Sequence, residues 1–185
     1  ALEFGKGIRI LNQDPLETII SFIISANNNI PRIKSIIERL CASLGEDMGG
    51  YRAFPTVERL SQADESFYKS VGAGYRASYL VKTSRALLDY DVNRPFGLST
   101  AAARKELMSF CGIGGKVADC ILLFAYGKTD LFPMDTWSKK IYKALGFPEE
   151  HAPSVMSERL VEHFGNLSGY AQQYLYYYFR SNKSE

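Results

Sequence analysis

The sequence predicts an all-α fold, a two-lobed helical bundle, and three observations predict it. Apolar residues recur at helical spacing along almost the whole 185-residue chain, where a half-buried strand would alternate. Runs of β-type alternation are scarce. The helical stretches are divided by short breaks rich in Pro, Gly, Asn and Asp, the residues that start and stop helices, and no repeat at a period of about 20 to 50 residues points to a solenoid.

Asp14-Pro15-Leu16-Glu17 opens the first helix: Asp14 can accept from free backbone N–H groups, Pro15 suits the first turn and Glu17 can complete a capping box. Leu16 to Ile24 is apolar on nearly every side, as in a helix buried among others, and it stops at Ser25-Ala26-Asn27-Asn28-Asn29. A second helix follows Pro31, with Ile33, Ile36, Ile37, Leu40, Cys41 and Leu44 at helical spacing and Gly45 at its end. Shorter helices are expected at Val57–Ala63 and Glu65–Val71, a turn at Gly72-Ala73-Gly74, and a helix over Arg76–Leu88. Asp89–Ser99 is a linker. Beyond it come helices at Thr100–Phe110, Gly115–Tyr126, Thr136–Leu145, Pro153–Phe164 and Ser168–Arg180. The first lobe is expected at about residues 14–98 and the second at 99–185, with residues 1–13 crossing between them and an active site in the cleft.

Composition narrows the function classes. With 46% apolar and 23% charged residues the chain reads as globular. No stretch of about 18 uninterrupted apolar residues suggests a membrane span. No basic start leads into an apolar run and a cleavage site, so an intracellular protein without a membrane partner is expected. Cys41, Cys111 and Cys120 are odd in number and lack CxxC spacing, which speaks against a disulfide framework or a zinc site; an iron–sulfur cluster needs four thiolates. His151 and His163 stand in polar surroundings where surface placement is the default. No metal and no cofactor is expected. A net charge of +2 is too small to announce nucleic-acid binding, so a DNA footprint has to come from local arrangement.

Such an arrangement lies between Ser99 and Trp137. Two helices are joined by Cys111-Gly112-Ile113-Gly114-Gly115-Lys116, a hairpin whose glycines permit positive φ and bring bare backbone close to a partner. The N–H groups that open the second helix, backed by its dipole, suit a phosphate, and Ile113 can anchor the turn in the core. Such a grip on the DNA backbone requires no side-chain charge. Taken singly, a Gly-rich turn is as readily a tight interhelical connection.

The surroundings decide. Gly112-Ile113-Gly114-Gly115-Lys116-Val117-Ala118-Asp119-Cys120 and Phe132-Pro133-Met134-Asp135 resemble the helix-hairpin-helix/Gly-Pro-Asp superfamily of DNA glycosylases. Gln13-Asp14-Pro15, Asn27-Asn28-Asn29-Ile30, Gly74-Tyr75-Arg76-Ala77 and Lys116-Val117-Ala118-Asp119-Cys120 follow, in order, the motifs of its 8-oxoguanine DNA glycosylase/AP lyase branch. The resemblance covers essentially the whole chain. It implies a base-excision repair enzyme that acts as a monomer on double-stranded DNA containing an oxidised purine.

On residue type alone Lys116 is a solvated surface charge; the resemblance implies the nucleophile. An amine suits that role because attack on C1′ expels the base and leaves an imine, which acidifies the C2′ proton so that the 3′ phosphate leaves by β-elimination. The amine attacks only when neutral, a form that partial burial or a neighbouring positive charge favours. Asp135, 19 residues on, is an N-cap by position; the resemblance adds a carboxylate facing the sugar, where it stabilises an oxocarbenium-like transition state. Asp119 is expected to tie the hairpin helix to a neighbour.

Lys116, Cys120 and Phe124 lie at i, i+4 and i+8 on one stripe, so if Lys116 faces the sugar, Cys120 and Phe124 should face the flipped base. Gln172, Tyr176 and Phe179 share a face of the last helix. Core packing is the ordinary reading of such positions and holds for Phe179, whereas the resemblance implies that Gln172 reads the Watson–Crick edge and Tyr176 stacks on the base. Most of the run Tyr174 to Phe179 is expected in the core. On the opposite strand the resemblance implies that Asn27, Arg32 and Arg76 surround the orphaned base, with arginine donors suited to the N3 and O2 acceptors of cytosine, and that Tyr75 wedges into the gap. Without it these residues read as a solvated loop and a helix start.

Two other readings stay open: a non-catalytic helix-hairpin-helix module that only grips DNA, and a glycosylase for another oxidised base, the usual pyrimidine branch of which carries a four-cysteine cluster. Members of the 8-oxoguanine branch meet N7–H of the lesion with a backbone carbonyl from an N-terminal sheet domain. The 13 residues before the Asp14 helix start are too few for a sheet core, so that domain is expected to be absent from these residues. Either they are the helical part of a longer protein, with an exposed apolar patch where the domain docks, or a compact member uses a substitute acceptor.

Overall fold

The computed structural model describes residues 1–150 and 152–182. His151, expected at the surface, lies outside the described residues; His163 is exposed, edge-on to Phe164 at 4.6 Å. The described residues form ten α-helices: α1 (Pro15–Ser25), α2 (Ile30–Leu44), α3 (Val57–Gln62), α4 (Glu65–Ser70), α5 (Ala77–Ala86), α6 (Thr100–Leu107), α7 (Gly115–Tyr126), α8 (Thr136–Ala144), α9 (Pro153–Phe164) and α10 (Ser168–Ser181). Short 3-10 turns lie at Gly74–Arg76, Leu87–Asp89, Arg94–Gly97 and Gly165–Leu167. Among these residues there is no strand, only an isolated bridge between Asp47 and Arg52.

Side-chain caps set most of the helix starts. Asp14 accepts from the Glu17 N–H at 2.9 Å with Pro15 in the first turn, and Asp64 accepts from the Phe67 N–H at 2.7 Å. Such caps are each worth about 1 kcal/mol. α2 starts ahead of the position expected after Pro31: Asn29 accepts from the Arg32 N–H at 3.0 Å, which takes Pro31 into the first turn. The missing proline N–H would have had no helical partner there.

α1 and α7 form the middle of the first core. Thr18, Ile19, Ile20, Ile23 and Ile24 of α1 are buried, as is α7 from Val117 to Leu123, and α1 packs against α7, α2 and α5. Each fully buried Ile or Leu contributes about 1.5–3 kcal/mol. A second, smaller core gathers Phe132, Met134, Ile141, Tyr142, Met156 and Leu160 beneath α8, α9 and α10. The two core clusters divide along the chain between Leu131 and Phe132. Ala103 and Leu107 of α6, with most of α7, belong to the first core because α7 is buried from Val117 to Leu123 and sits centrally.

The N-terminal segment runs along the outside of this junction. Phe4 lies 5.2 Å and 5.5 Å from the rings of Tyr177 and Tyr178 on α10, and the Gln13 N–H donates to the Phe124 carbonyl at the end of α7, at 3.0 Å. Contrary to the expectation of a core position for most of the tyrosine-rich run, Tyr177 and Tyr178 are exposed; Leu175 and Phe179 are the members that pack on the second core. A helix at the surface can bury one face only.

Candidate active site

The pocket lies where the two cores meet. Lys116, Cys120 and Phe124 of α7 line one wall of a cavity of about 260 Å³, and Asp135, Gln172 and Tyr176 line it too. These are the six residues expected for the nucleophile, the sugar carboxylate and the base pocket. Phe22 of α1, Pro133 and Gln173 complete the lining. The rings of Phe22 and Phe124 stack with centroids 5.7 Å apart. This volume falls below the roughly 300–1,000 Å³ of sites for drug-sized ligands. It suits one planar base.

A wider groove of about 640 Å³ opens on the other side of the same two residues. Lys116 and Asp135 line it together with Asn27, Asn28, Arg32 and Thr136. Lys116 and Asp135 therefore stand on the threshold between the smaller pocket and the open groove. Lys116 is exposed, with Nζ 5.6 Å from the centre of the Phe22 ring. The protein alone thus leaves the Lys116 amine open to solvent.

Asp135 caps α8. Its Oδ1 accepts from the Ser138 N–H at 2.7 Å, and the buried Ser138 hydroxyl donates to the Pro133 carbonyl at 2.8 Å, so the turn and the cap are fixed together. With Oδ1 committed to the helix, the carboxylate is held at the pocket edge in one orientation. Cys120 is only 6% exposed. Burial pushes its thiol up to about 11 against the opposing effect of Lys116, and Asp119 and Asp135 push it the same way as burial does. At physiological pH it is a neutral wall of the pocket.

The hairpin is locked from behind. Gly112 has φ +86°, and a Cβ there would lie 2.8 Å from the Tyr79 Cβ, so only glycine fits. The Thr83 hydroxyl donates to the Cys111 carbonyl at 2.7 Å, and Ile113 is buried in the first core. Gly114, the N-cap of α7, supplies no side-chain acceptor to the first-turn N–H groups, which leaves the helix start able to face an anion. Asp119 does join the hairpin helices: Arg104 Nε of α6 donates to its Oδ1 at 2.6 Å. Burial raises the Asp119 carboxyl pKa, and Arg104 pulls it back down.

The residues expected around the opposite base are only partly brought together. Asn27 and Arg32 line the groove; Asn27 is exposed with φ +49°, the one non-glycine residue at positive φ among the described residues, a conformation that collects at functional sites. Tyr75 is exposed and its hydroxyl donates to the Ala26 carbonyl at 3.2 Å. Arg76 is 3% exposed. Its Nε donates to the Ala26 carbonyl and its Nη2 to the Asn27 carbonyl, both at 2.7 Å, and its Nη1 donates to the Ala73 carbonyl at 3.3 Å. In this structure Arg76 holds the Asn27 turn from beneath through these bonds and is not among the residues that line the groove.

Two pocket residues were not singled out from the sequence. Phe22 sits in a run that is apolar on nearly every side, so little distinguishes its pocket face. Gln173 lies off the Gln172–Tyr176 stripe, and a polar residue beside a buried glutamine was its only signal.

Among the described residues no group of His, Cys, Asp or Glu could hold a metal, and no helix is long and apolar enough to cross a membrane. Residues 20–165 match the family described as HhH-GPD superfamily base excision DNA repair protein. The N-glycosylase/DNA lyase of Saccharomyces cerevisiae is 38% identical over 156 residues, covering 75% of this chain and 42% of that protein. A probable N-glycosylase/DNA lyase of Methanothermobacter thermautotrophicus is 32% identical over 200 residues, 95% of this chain and 64% of that one. The crystal structure of the Clostridium acetobutylicum 8-oxoguanine glycosylase/lyase, in complex with duplex DNA containing cytosine opposite 8-oxoguanine, superposes with a TM-score of 0.92 at 42% identity over 98% of this chain and 64% of that one. This chain thus spans 42% to 64% of the length of these relatives. With the family match running from α1 through α9, the chain belongs to the HhH-GPD superfamily of base excision DNA repair proteins.

Proposed function

We propose that this chain acts as a bifunctional DNA glycosylase/AP lyase that removes 8-oxoguanine from duplex DNA. The observation that carries the reading is the shared position of Lys116 and Asp135, on the lining of both a base-sized pocket and the adjoining open groove. A nucleotide flipped from the groove into the pocket passes its sugar between an amine and a carboxylate. DNA seated in the groove covers Lys116 and supplies the burial that the free protein does not.

Lys116 Nζ then bonds to C1′ as the bond to N9 of the base breaks, and the base leaves with a proton. Opening of the sugar ring gives the imine; loss of the C2′ proton expels the 3′ phosphate. Asp135 stabilises the positive charge that develops at C1′. Gln172 meets the Watson–Crick edge, Tyr176 and the Cys120 face enclose the ring, and the α7 start with Gly112 to Gly115 grips a phosphate of the same strand. Asn27, Arg32 and Tyr75 face the opposite strand and the gap. The enzyme works as a monomer wherever the genome lies, in nucleoid or nucleus.

Borohydride trapping tests this. Only an imine is reduced to a covalent adduct, so the protein should form one with a duplex carrying 8-oxoguanine opposite cytosine, and Lys116→Gln should form none. No adduct with the unaltered chain on either lesion or abasic DNA would leave a DNA-gripping module in its place.

A further inference from the structure

α10 presents two neighbouring amides to the pocket. Gln172 is 4% exposed, Gln173 is half-buried, and both line the cavity. Gln173 Nε2 donates to Gln172 Oε1 at 2.5 Å. Among the described residues this is the hydrogen bond made by the Gln172 side chain. No buried side-chain nitrogen or oxygen among them lacks a partner, so Gln172 Nε2, which has none, must reach open space, and the space beside it is the pocket.

An unrestrained glutamine amide can turn over by half a rotation and exchange a donor for an acceptor at nearly the same point. Here the bond from Gln173 opposes the exchange, because the Gln172 amide loses it on turning unless Gln173 turns as well. With Oε1 held toward Gln173, Nε2 faces the pocket as a donor, and the second lone pair of Oε1 remains able to accept. A donor beside an acceptor complements the edge of a 6-oxopurine, where O6 accepts and N1–H donates. The edge of a 6-aminopurine has the opposite order, a donating N6 amine beside an accepting N1. Turned over, Gln172 would match that edge instead.

Resting on the glycosylase reading above, we propose that Gln173 is a positioning residue that fixes the Gln172 amide in one sense and thereby selects 6-oxopurine lesions over 6-aminopurine lesions. Gln173 acts through its neighbour. Removing its donor frees the Gln172 amide to turn, and replacing the donor with an acceptor drives it to turn, because a carboxylate at 173 recruits the Gln172 NH₂.

The test compares single-turnover excision of 8-oxoguanine and 8-oxoadenine from otherwise identical duplexes, each opposite cytosine. The unaltered protein should favour 8-oxoguanine. Gln173→Leu should lower that ratio by roughly three- to tenfold, the worth of one hydrogen bond, and Gln173→Glu should lower it further. Tm reports that both variants fold, and because each ratio compares two lesions in the same variant, a general change in rate cancels. A folded Gln173→Glu protein with the original ratio overturns the inference, as does an unaltered protein that excises both lesions equally. Failure of the unaltered protein to trap on an abasic duplex overturns the glycosylase/lyase reading instead, so the two failures are distinguishable.

Discussion

Arg104 Nε donates to Asp119 Oδ1 at 2.6 Å, and this ion pair joins the two helices on either side of the hairpin. Asp119 is buried, whereas the Arg104 side chain is 39% exposed. Removing the guanidinium leaves a buried carboxylate without its counter-charge, a loss of about 3 kcal/mol, the lower end for such pairs because water reaches the arginine side.

That loss should depend on pH. Burial raises the Asp119 carboxyl pKa above its ordinary value of 3.8, and in Arg104→Ala the two opposing contributions, the hydrogen bond and charge of Arg104, disappear. A carboxyl with a raised folded-state pKa binds more protons folded than unfolded, so its contribution to stability falls as pH rises from the unfolded pKa through the folded one. Arg104→Ala should therefore be most destabilising at neutral pH and less so on acidification. Urea melts of both proteins at pH 7 and pH 5 check this; an equal loss at both pH values refutes it.

Gly115 and Gly114 should respond differently to one added methyl group. A Cβ on Gly115 would overlap Arg104 Nη2, whereas a Cβ on Gly114 meets nothing within 4 Å. The Arg104 tip is flexible, but moving it breaks its bond to Asp119. Gly115→Ala should cost about 1–3 kcal/mol and weaken DNA binding, and Gly114→Ala should cost less. The clash with Arg104 is absent in an Arg104→Ala background, so a double-mutant cycle should show strong coupling. Additive losses would mean that Arg104 is not what Gly115 accommodates.

The two threshold residues should separate chemistry from stability. Lys116 is exposed, so Lys116→Gln should change stability by no more than about 0.5 kcal/mol while abolishing borohydride trapping. Asp135→Asn keeps an N-cap acceptor for the Ser138 N–H and should slow single-turnover excision by orders of magnitude with little change in Tm. Asp135→Ala should lose the cap as well, about 1 kcal/mol. If Asp135→Asn unfolds, or excises at the normal rate, Asp135 is chiefly structural.

Most of the helices and the pocket wall were legible in the sequence, because helical periodicity and caps act locally. The i, i+4 stripe of Lys116, Cys120 and Phe124 is a consequence of one helix, and the structure places all three on the cavity. What stayed hidden depends on tertiary contact. Nothing in a mostly apolar run marks Phe22 as a pocket residue, and the division of the cores at Leu131 and Phe132 depends on which helix is central, not on where a linker lies. Arg76 shows the same limit: its position beside Tyr75 leads to the expectation of a role at the opposite base, but the carbonyls of Ala26, Asn27 and Ala73, which accept from it, are invisible in a linear sequence.

This arrangement divides the work of the arginines on the opposite-strand side. Arg32 lines the groove with Lys116 and Asp135, and its Nη2 donates to the Gly72 carbonyl at 3.1 Å, which holds the side chain at the rim while it stays exposed. Arg76 is buried beneath the Asn27 turn. The remaining donors of Arg32 at the groove suit the N3 and O2 acceptors of cytosine better than the edge of adenine, and the unaltered protein should excise the lesion faster opposite cytosine than opposite adenine under single-turnover conditions. Arg32→Ala should reduce that preference with little change in Tm, because the residue is exposed. Arg76→Ala should lower Tm, since the hydrogen bonds of a buried guanidinium to the Ala26, Asn27 and Ala73 carbonyls are lost, each worth about 0.5–1.5 kcal/mol, and should reduce the preference only through displacement of Asn27. Arg76→Lys should not restore stability, because one ammonium cannot span three carbonyls as a planar fork does. Equal turnover opposite both bases sinks the preference itself, and an Arg76→Ala protein with unchanged Tm sinks the structural role assigned to Arg76.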